Sequence, residues 1–444
     1  MKKTVTALMV VSLAGNIFPV INIVAISSLV PLYLISRDTE ELKRSGYGPE
    51  TAKKLLVVAY LYWLLSYALT GATLENLVSF DFLRFDGALF IAYLPLLLVT
   101  DVRLDPLFIR RIVGVFLTIM SVVALVGLAE FFNGTIGSLL LSRLPEPLQL
   151  LHDASLSSDI FQGFFRAHNA AGGIYAMAAL IAFSLLVLDK NPAFRSVPTF
   201  WVACNFVGLV LTQSRTGYLG FVGALLLVFF RRRETRRNAF KYSVLVLVPL
   251  YYMLQVQPVV NQRTEAVSDL EDPNVVMRFV YYQRAFDDFV QSPIIGTGFG
   301  RFNDDLKGFV GIPNLVFVAT SGQSVNDDLH AHNSYLHFLA EGGIIGMALM
   351  LSVWISTFLW IEREKAIFAQ GSFGRCLAEG IQACIILEFA MSFTEHMMGT
   401  ATSSLTVFTF SGLFLNLVGW KYRVASVLVP QKPASGELQA CPEH

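Results

Sequence analysis

Residues 330 to 346 read HAHNSYLHFLAEGGIIG and place His330, His332 and His337 where a polar stretch turns into one of the longest apolar runs of the chain. An imidazole with a pKa near 6.5 is largely neutral at pH 7, so it can accept a proton or ligate a metal. His330 and His332 are two apart, and His337 lies about 140° around a helix from His332, whereas two ligands on one helical face need a spacing of three or four. The spacing therefore predicts no metal centre. It favours general-base work by one ring, with His332 and His337 both candidates and Glu341 and Glu388 as carboxylate partners inside apolar runs. The cysteines Cys204, Cys376, Cys384 and Cys441 form no Cys-x-x-Cys spacing and imply no disulfide framework.

Arginine supplies the second chemistry, because its planar fork pairs bidentately with phosphate. In LTQSRTGYLGF, Arg215 sits in a turn of a few residues between two apolar runs, where a charge must snorkel, pair or face a wet cavity. In NVVMRFVYYQRAFDDFVQSPIIGTGFGRF, Val275, Phe279, Tyr282, Phe286 and Phe289 recur at helical spacing and predict an amphipathic helix lying on the membrane and ending before Pro293. Arg278 lies at the edge of that apolar stripe, turned toward a lipid-linked substrate, while Arg284 faces solvent or Asp287 and Asp288. Gly296, Gly298 and Gly300 then predict a flexible turn; without a following Lys-Ser/Thr they make a poor nucleotide loop. In FFRAHNAAGGIY, Arg166 and Asn169 precede another apolar run, with Asn169 reading as the helix N-cap.

The elements that position these groups are membrane spans. Of the 444 residues 54% are hydrophobic and 15% charged, and the charges cluster between long apolar stretches. About 20 apolar residues cross a bilayer as a helix, and about twelve such stretches occur. Two lie within 5–36, where Asn16 and Pro19 break an overlong run into a hairpin. The rest fall near 55–72, 86–100, 112–131, 170–188, 197–213, 216–230, 241–256, 335–361, 377–394 and 401–420. The expected fold class is thus an all-α polytopic membrane protein. It is divided into a 1–256 region of nine spans with an outer loop at 132–169, a large outer loop at 257–334, three spans over 335–429, and a disordered tail at 430–444.

Basic residues mark the cytoplasmic side. With Lys2 and Lys3 inside, most of the 33 Lys and Arg fall on inside segments, including RRRETRRNAFK at 231–241, and both termini are cytoplasmic. A cleaved signal peptide ending near Ala25 would invert every later loop against this rule. The outside basic residues are all Arg except Lys307, and His152, His168, His330, His332, His337 and His396 lie outside or at the outer edge. Any soluble-phase chemistry belongs to that face. Net charge is zero, so nothing points to nucleic acid.

The pair His332-Asn333, nine residues, then Gly343-x-x-Gly346 resembles the signature of the O-antigen ligase and polymerase superfamily. Arg215 in its short outer turn, and Arg278 followed by an aromatic helix and Pro293-x-x-Gly296-x-Gly298, agree with it along nearly the whole chain. The resemblance is greatest to the ligases that move an undecaprenyl-diphosphate-linked O-antigen onto lipid A-core at the periplasmic face of the bacterial inner membrane. It implies a GT-C-like glycosyltransferase architecture in the lipid bilayer, with Arg215 and Arg278 on the donor diphosphate and His332 assisting the acceptor hydroxyl. Arg166 and Asn169 join the donor-binding set, and Asn333, Arg284 and Glu341 support it. Alternating Asp-x-Asp is missing, so a metal-independent, inverting transfer without cofactors is expected. An O-antigen polymerase or protein O-oligosaccharyltransferase would share the donor residues. A transporter or flippase would instead need its polar groups near mid-membrane, whereas here they gather at one face.

Overall fold

The computed structural model describes residues 50–69, 86–101, 104–132, 168–188, 196–230, 273–302, 330–399 and 401–428, with isolated positions between 236 and 244. The described residues are helical: α1 (Glu50–Leu69), α2 (Asp86–Asp101), α3 (Pro106–Phe132), α4 (His168–Leu188), α5 (Ser196–Leu211), α6 (Arg215–Leu225), α7 (Pro273–Gln291), α8 (Ser334–Glu364), α9 (Phe373–Met391) and α10 (Ala401–Leu428). Five helical stretches are long and apolar enough to cross a membrane: Thr51–Leu69, Pro106–Ala129, His168–Leu188, Ser334–Ile367 and Ser403–Tyr422. The chain is therefore a multi-pass membrane protein. The expected spans at 5–36 and 241–256, most of the 132–169 loop with Arg166, and the 430–444 tail lie outside the described residues.

Helix α4 is the hub. It packs on α5, α6 and α9, while α10 packs on α2 and α8 on α1. Its neighbours carry small residues where they come close to it: a side chain at Gly208 of α5 would run into Tyr175, and one at Gly380 of α9 into Ser184. Nearly every residue from Ala171 to Val187 is buried. Because lipid is as apolar as leucine, close packing and buried polar pairs must hold such helices together. The Asn205 amide donates to the Ser121 hydroxyl at 3.0 Å, joining α5 to α3, and the Trp354 indole donates to the Tyr93 hydroxyl at 2.8 Å, joining α8 to α2.

At one end of the bundle a charged network ties α8 to α9. Lys365 is buried, donates to Gln382 at 2.6 Å, pairs with Glu379 at 3.3 Å and also meets Glu362. The candidate functional residues lie at the other end, at the starts of α4, α6, α8 and α10 and the end of α9.

The apolar stripe of α7 is turned away from the protein: Phe279, Phe286 and Val290 are exposed, whereas Tyr281, Ala285 and Asp288 are buried against the bundle. Arg278 follows that inner face, so it looks into the protein and not, as its position at the stripe's edge suggests, toward lipid. Arg284 pairs with Asp288 at 3.0 Å.

Beyond α7 the glycine turn is not a loose linker. Helix α8 breaks at Gly343, whose φ of 59° only glycine adopts freely, and the break leaves backbone groups without intrahelical partners. The turn supplies them. Thr297 and Gly298 donate to the carbonyls of Ala340 and Glu341 at 2.9 and 3.0 Å, and Ile344 and Ile345 donate to those of Pro293 and Ile294 at 2.9 and 3.2 Å. A Cβ on Gly296 would overlap the Glu341 backbone, and one on Gly343 would overlap that of Ile294. The Tyr62 hydroxyl of α1 lies 2.6 Å from the Gly342 carbonyl oxygen and 3.0 Å from that of Ile295, closing the joint from the third side. The two glycine motifs read from the sequence are thus the two halves of one backbone junction.

Candidate active site

The site is built on helix starts. Asn333 caps α8, its side chain accepting from the Leu336 N–H at 3.1 Å while its amide donates to the Phe393 carbonyl at 3.0 Å. Ser214 caps α6, accepting from Gly217 at 3.2 Å. Just before each cap stands a residue other than glycine with left-handed backbone, His332 (φ 48°) and Gln213 (φ 52°). Such backbone costs an ordinary residue about 1 kcal/mol or more and concentrates at functional sites. The turn before α6 rests on α4, because a Cβ at Gly172 would strike Ser214. The cap Ser214 thus lies against α4 one turn beyond Asn169, and the next residue, Arg215, is exposed.

The centre of the cluster is a residue that the sequence reading overlooked. Glu395, in the turn between α9 and α10, is buried. Its Oε1 accepts from Arg278 Nη2 at 2.8 Å and from the Asn169 amide at 2.5 Å, and its Oε2 accepts from His332 Nδ1 at 3.3 Å. Arg278 Nη1 also donates to the Thr394 carbonyl at 3.2 Å. Burial alone would raise the Glu395 pKa, but the hydrogen bond from His332 and the positive fields of His332, Arg278 and His330 outweigh it and hold the carboxyl below its usual range. One carboxylate therefore gathers α4, α7 and the mouth of α8. Asn169 lies inside α4 with its side chain on Glu395, so it does not act as the N-cap that its place in the sequence suggested. The signal for Glu395 was present as an acid beside His396 in a short turn between two apolar runs.

The histidines divide into two environments. His332 has 29% of its side chain exposed and stacks on Tyr281 of α7, with ring centroids 5.8 Å apart. In the neutral tautomer that gives Nδ1–H to Glu395, Nε2 would carry the lone pair. His337 is buried, its Nε2 is 3.4 Å from Glu341 Oε2, its ring meets the edge of Phe302, and its Nδ1 is buried without a hydrogen-bond partner. Glu341 also accepts from the Phe302 N–H at 3.3 Å. His396 lies 4.0 Å from His337 and 5.5 Å from His330, centroid to centroid. Burial first, then repulsion from His337, His330 and His332, push its pKa well below the usual histidine value, so it is neutral. Glu388 is buried in α9, and the histidines pair with Glu395 and Glu341 instead.

The metal expectation needs a correction of its premise. Helical spacing forbids a ligand pair on one face of α8, yet His330, His332 and Glu395 present ligand atoms within 4.8 Å of one another, since the third member comes from a distant turn.

Apolar helices that carry an arginine, a buried carboxylate and a half-open histidine at one end define a class: a multi-pass membrane protein equipped for proton transfer beside fixed positive charge. Residues 199–351 match the family described as O-antigen ligase. The matched stretch holds Arg215, Arg278 and His332; Asn169 and Glu395 lie outside it. A search of curated proteins finds no match.

Proposed function

We propose that the protein is a lipopolysaccharide O-antigen ligase, transferring O-antigen from undecaprenyl diphosphate to a sugar hydroxyl of lipid A-core at the periplasmic face of the inner membrane. The observation that carries this reading is the unbroken chain Arg278–Glu395–His332, which sets a proton acceptor beside fixed positive charge. About twelve spans in a GT-C-like arrangement, with both termini cytoplasmic, complete the architecture.

The reaction breaks the bond between the anomeric carbon and the diphosphate oxygen, and the electron pair leaves with the lipid diphosphate. The acceptor oxygen forms the new bond from the opposite side, inverting the centre. His332 Nε2 takes the hydroxyl proton, while Glu395 fixes the tautomer and stabilises the imidazolium, as the carboxylate does in hydrolase triads. Negative charge develops on the departing diphosphate, where preorganised cations lower the barrier most. Arg215 is exposed at the helix start, and Arg278 spends N–H groups on Thr394 and Glu395 and keeps others for phosphate. Arg166 joins them, Asn169 acts through Glu395, and Arg284, Asn333 and Glu341 support the frame. His337, enclosed by Glu341 and Phe302, is the less accessible of the two candidates. The charges needed are supplied by side chains, so the transfer is metal-independent.

The test is to incubate purified protein with undecaprenyl-diphosphate-linked glycan and lipid A-core, with and without EDTA. A heavier lipid product in both reactions is expected. No product from active substrates would overturn the ligase reading, and product lost to EDTA would overturn metal independence.

A further inference from the structure

The juxtaposition of His330, His332 and Glu395 suits a role separate from the transfer itself. We propose that these three residues form an inhibitory binding site for a borderline transition-metal ion of the Zn2+ type; the inhibitory part rests on His332 being the base.

The donor set is two imidazoles and one carboxylate, which matches zinc sites that keep a fourth position open. Their ligand atoms lie within 4.8 Å of one another. Bonds of about 2.0–2.1 Å at a tetrahedral angle require separations of roughly 3.3 Å, a closure that small side-chain rotations supply. The His330 and His332 rings already converge, with centroids 4.4 Å apart. The carboxylate is held ready: Glu395 Oε1 is fixed by Arg278 and Asn169, and Oε2 faces the histidines. Metal ligands are commonly oriented by such outer partners. Imidazole favours Zn2+, Co2+, Ni2+ and Cu2+, whereas Mg2+ and Ca2+ prefer all-oxygen shells, so the latter are excluded.

Inhibition follows from the bookkeeping of one ring. A neutral imidazole has one proton and one lone pair. A metal on Nε2 takes the lone pair that would accept the hydroxyl proton. On Nδ1 it displaces the proton shared with Glu395, which then resides on Nε2. In either geometry His332 ceases to be a base, and the carboxylate that orients it is diverted as well.

The experiment uses the full-length, metal-stripped protein in detergent. Co2+ is titrated while the visible d–d absorbance is followed, and transfer is assayed with added Zn2+ or Mg2+. We expect one saturable Co2+ site per chain, displaced by Zn2+. Transfer should be blocked by Zn2+, restored by EDTA and unaffected by Mg2+. His330→Asn and His330→Gln should retain transfer and weaken both binding and inhibition by about tenfold or more. No saturable Co2+ site, or unchanged binding in a folded His330 variant, would overturn the metal site. Zn2+ that binds without slowing transfer, or stimulates it, would overturn the inhibitory role. If the wild type transfers nothing, the ligase reading fails, while the Co2+ titration, which needs no substrate, still decides the site.

Discussion

His332 Nδ1 lies 3.3 Å from Glu395 Oε2 across 63 residues of sequence, and the same carboxylate holds Arg278 at 2.8 Å. His332 and Arg278 are thereby tied to a shared anion.

Glu395→Gln keeps the shape of the side chain and removes its charge. The amide can still meet Asn169 or Arg278 but no longer stabilises a protonated His332. Transfer by the purified variant should fall about a hundredfold or more, with little change in apparent KM for the acceptor. Activity within a few-fold of wild type would make Glu395 a structural clasp only.

Arg215→Lys retains the positive charge at the start of α6 and loses the planar fork. If Arg215 grips a diphosphate, the donor KM should rise about tenfold, as expected for losing one charge-assisted hydrogen bond. The check is a donor titration at saturating acceptor; unchanged kinetics would identify an interfacial anchor.

Gly296→Ala tests the junction. Its φ of 74° and the backbone of Glu341 leave no room for a methyl group. The variant should lose about 2 kcal/mol or more of stability, read as a lower melting temperature in detergent. Gly223→Ala, with open space around it, should be nearly neutral.

Lys365→Ala probes the opposite end. Removing the cation takes one ion-pair partner from the buried Glu379, while Arg375 still lies 3.4 Å from it, so the loss should fall short of the ~3–5 kcal/mol of a fully broken buried pair. Melting temperature should drop while transfer per folded molecule stays near wild type. A selective loss of transfer would tie this network to the chemistry.

Much of the helical frame could be read from the sequence, because burial in lipid imposes long apolar runs with sharp ends. The span expected at 170–188 is α4, that at 335–361 lies within α8, and the amphipathic helix stops at Gln291, ahead of Pro293. What periodicity could not convey is which surface an amphipathic helix turns to the protein. The Phe279–Phe286 stripe is the outer face of α7, which reverses the direction of Arg278. Glu395 escaped notice for a related reason. Its partners come from α4, α7 and the start of α8, and only the packing of α9 and α10 brings its turn among them. The glycines were visible as two motifs, but their union depends on a helix break that hydropathy does not record.

That union has a mechanical consequence. Residues 293–298 fasten the C-terminal end of α7 to α8 through backbone bonds, and Arg278 fastens its N-terminal half to the turn at Glu395. The surface helix is clamped like a sill fixed at both ends, and raising it would require breaking main-chain bonds together with an ion pair. On the proposed ligase reading, a bulky glycolipid would glide sideways within the leaflet, past a rigid threshold, while α7 stays down.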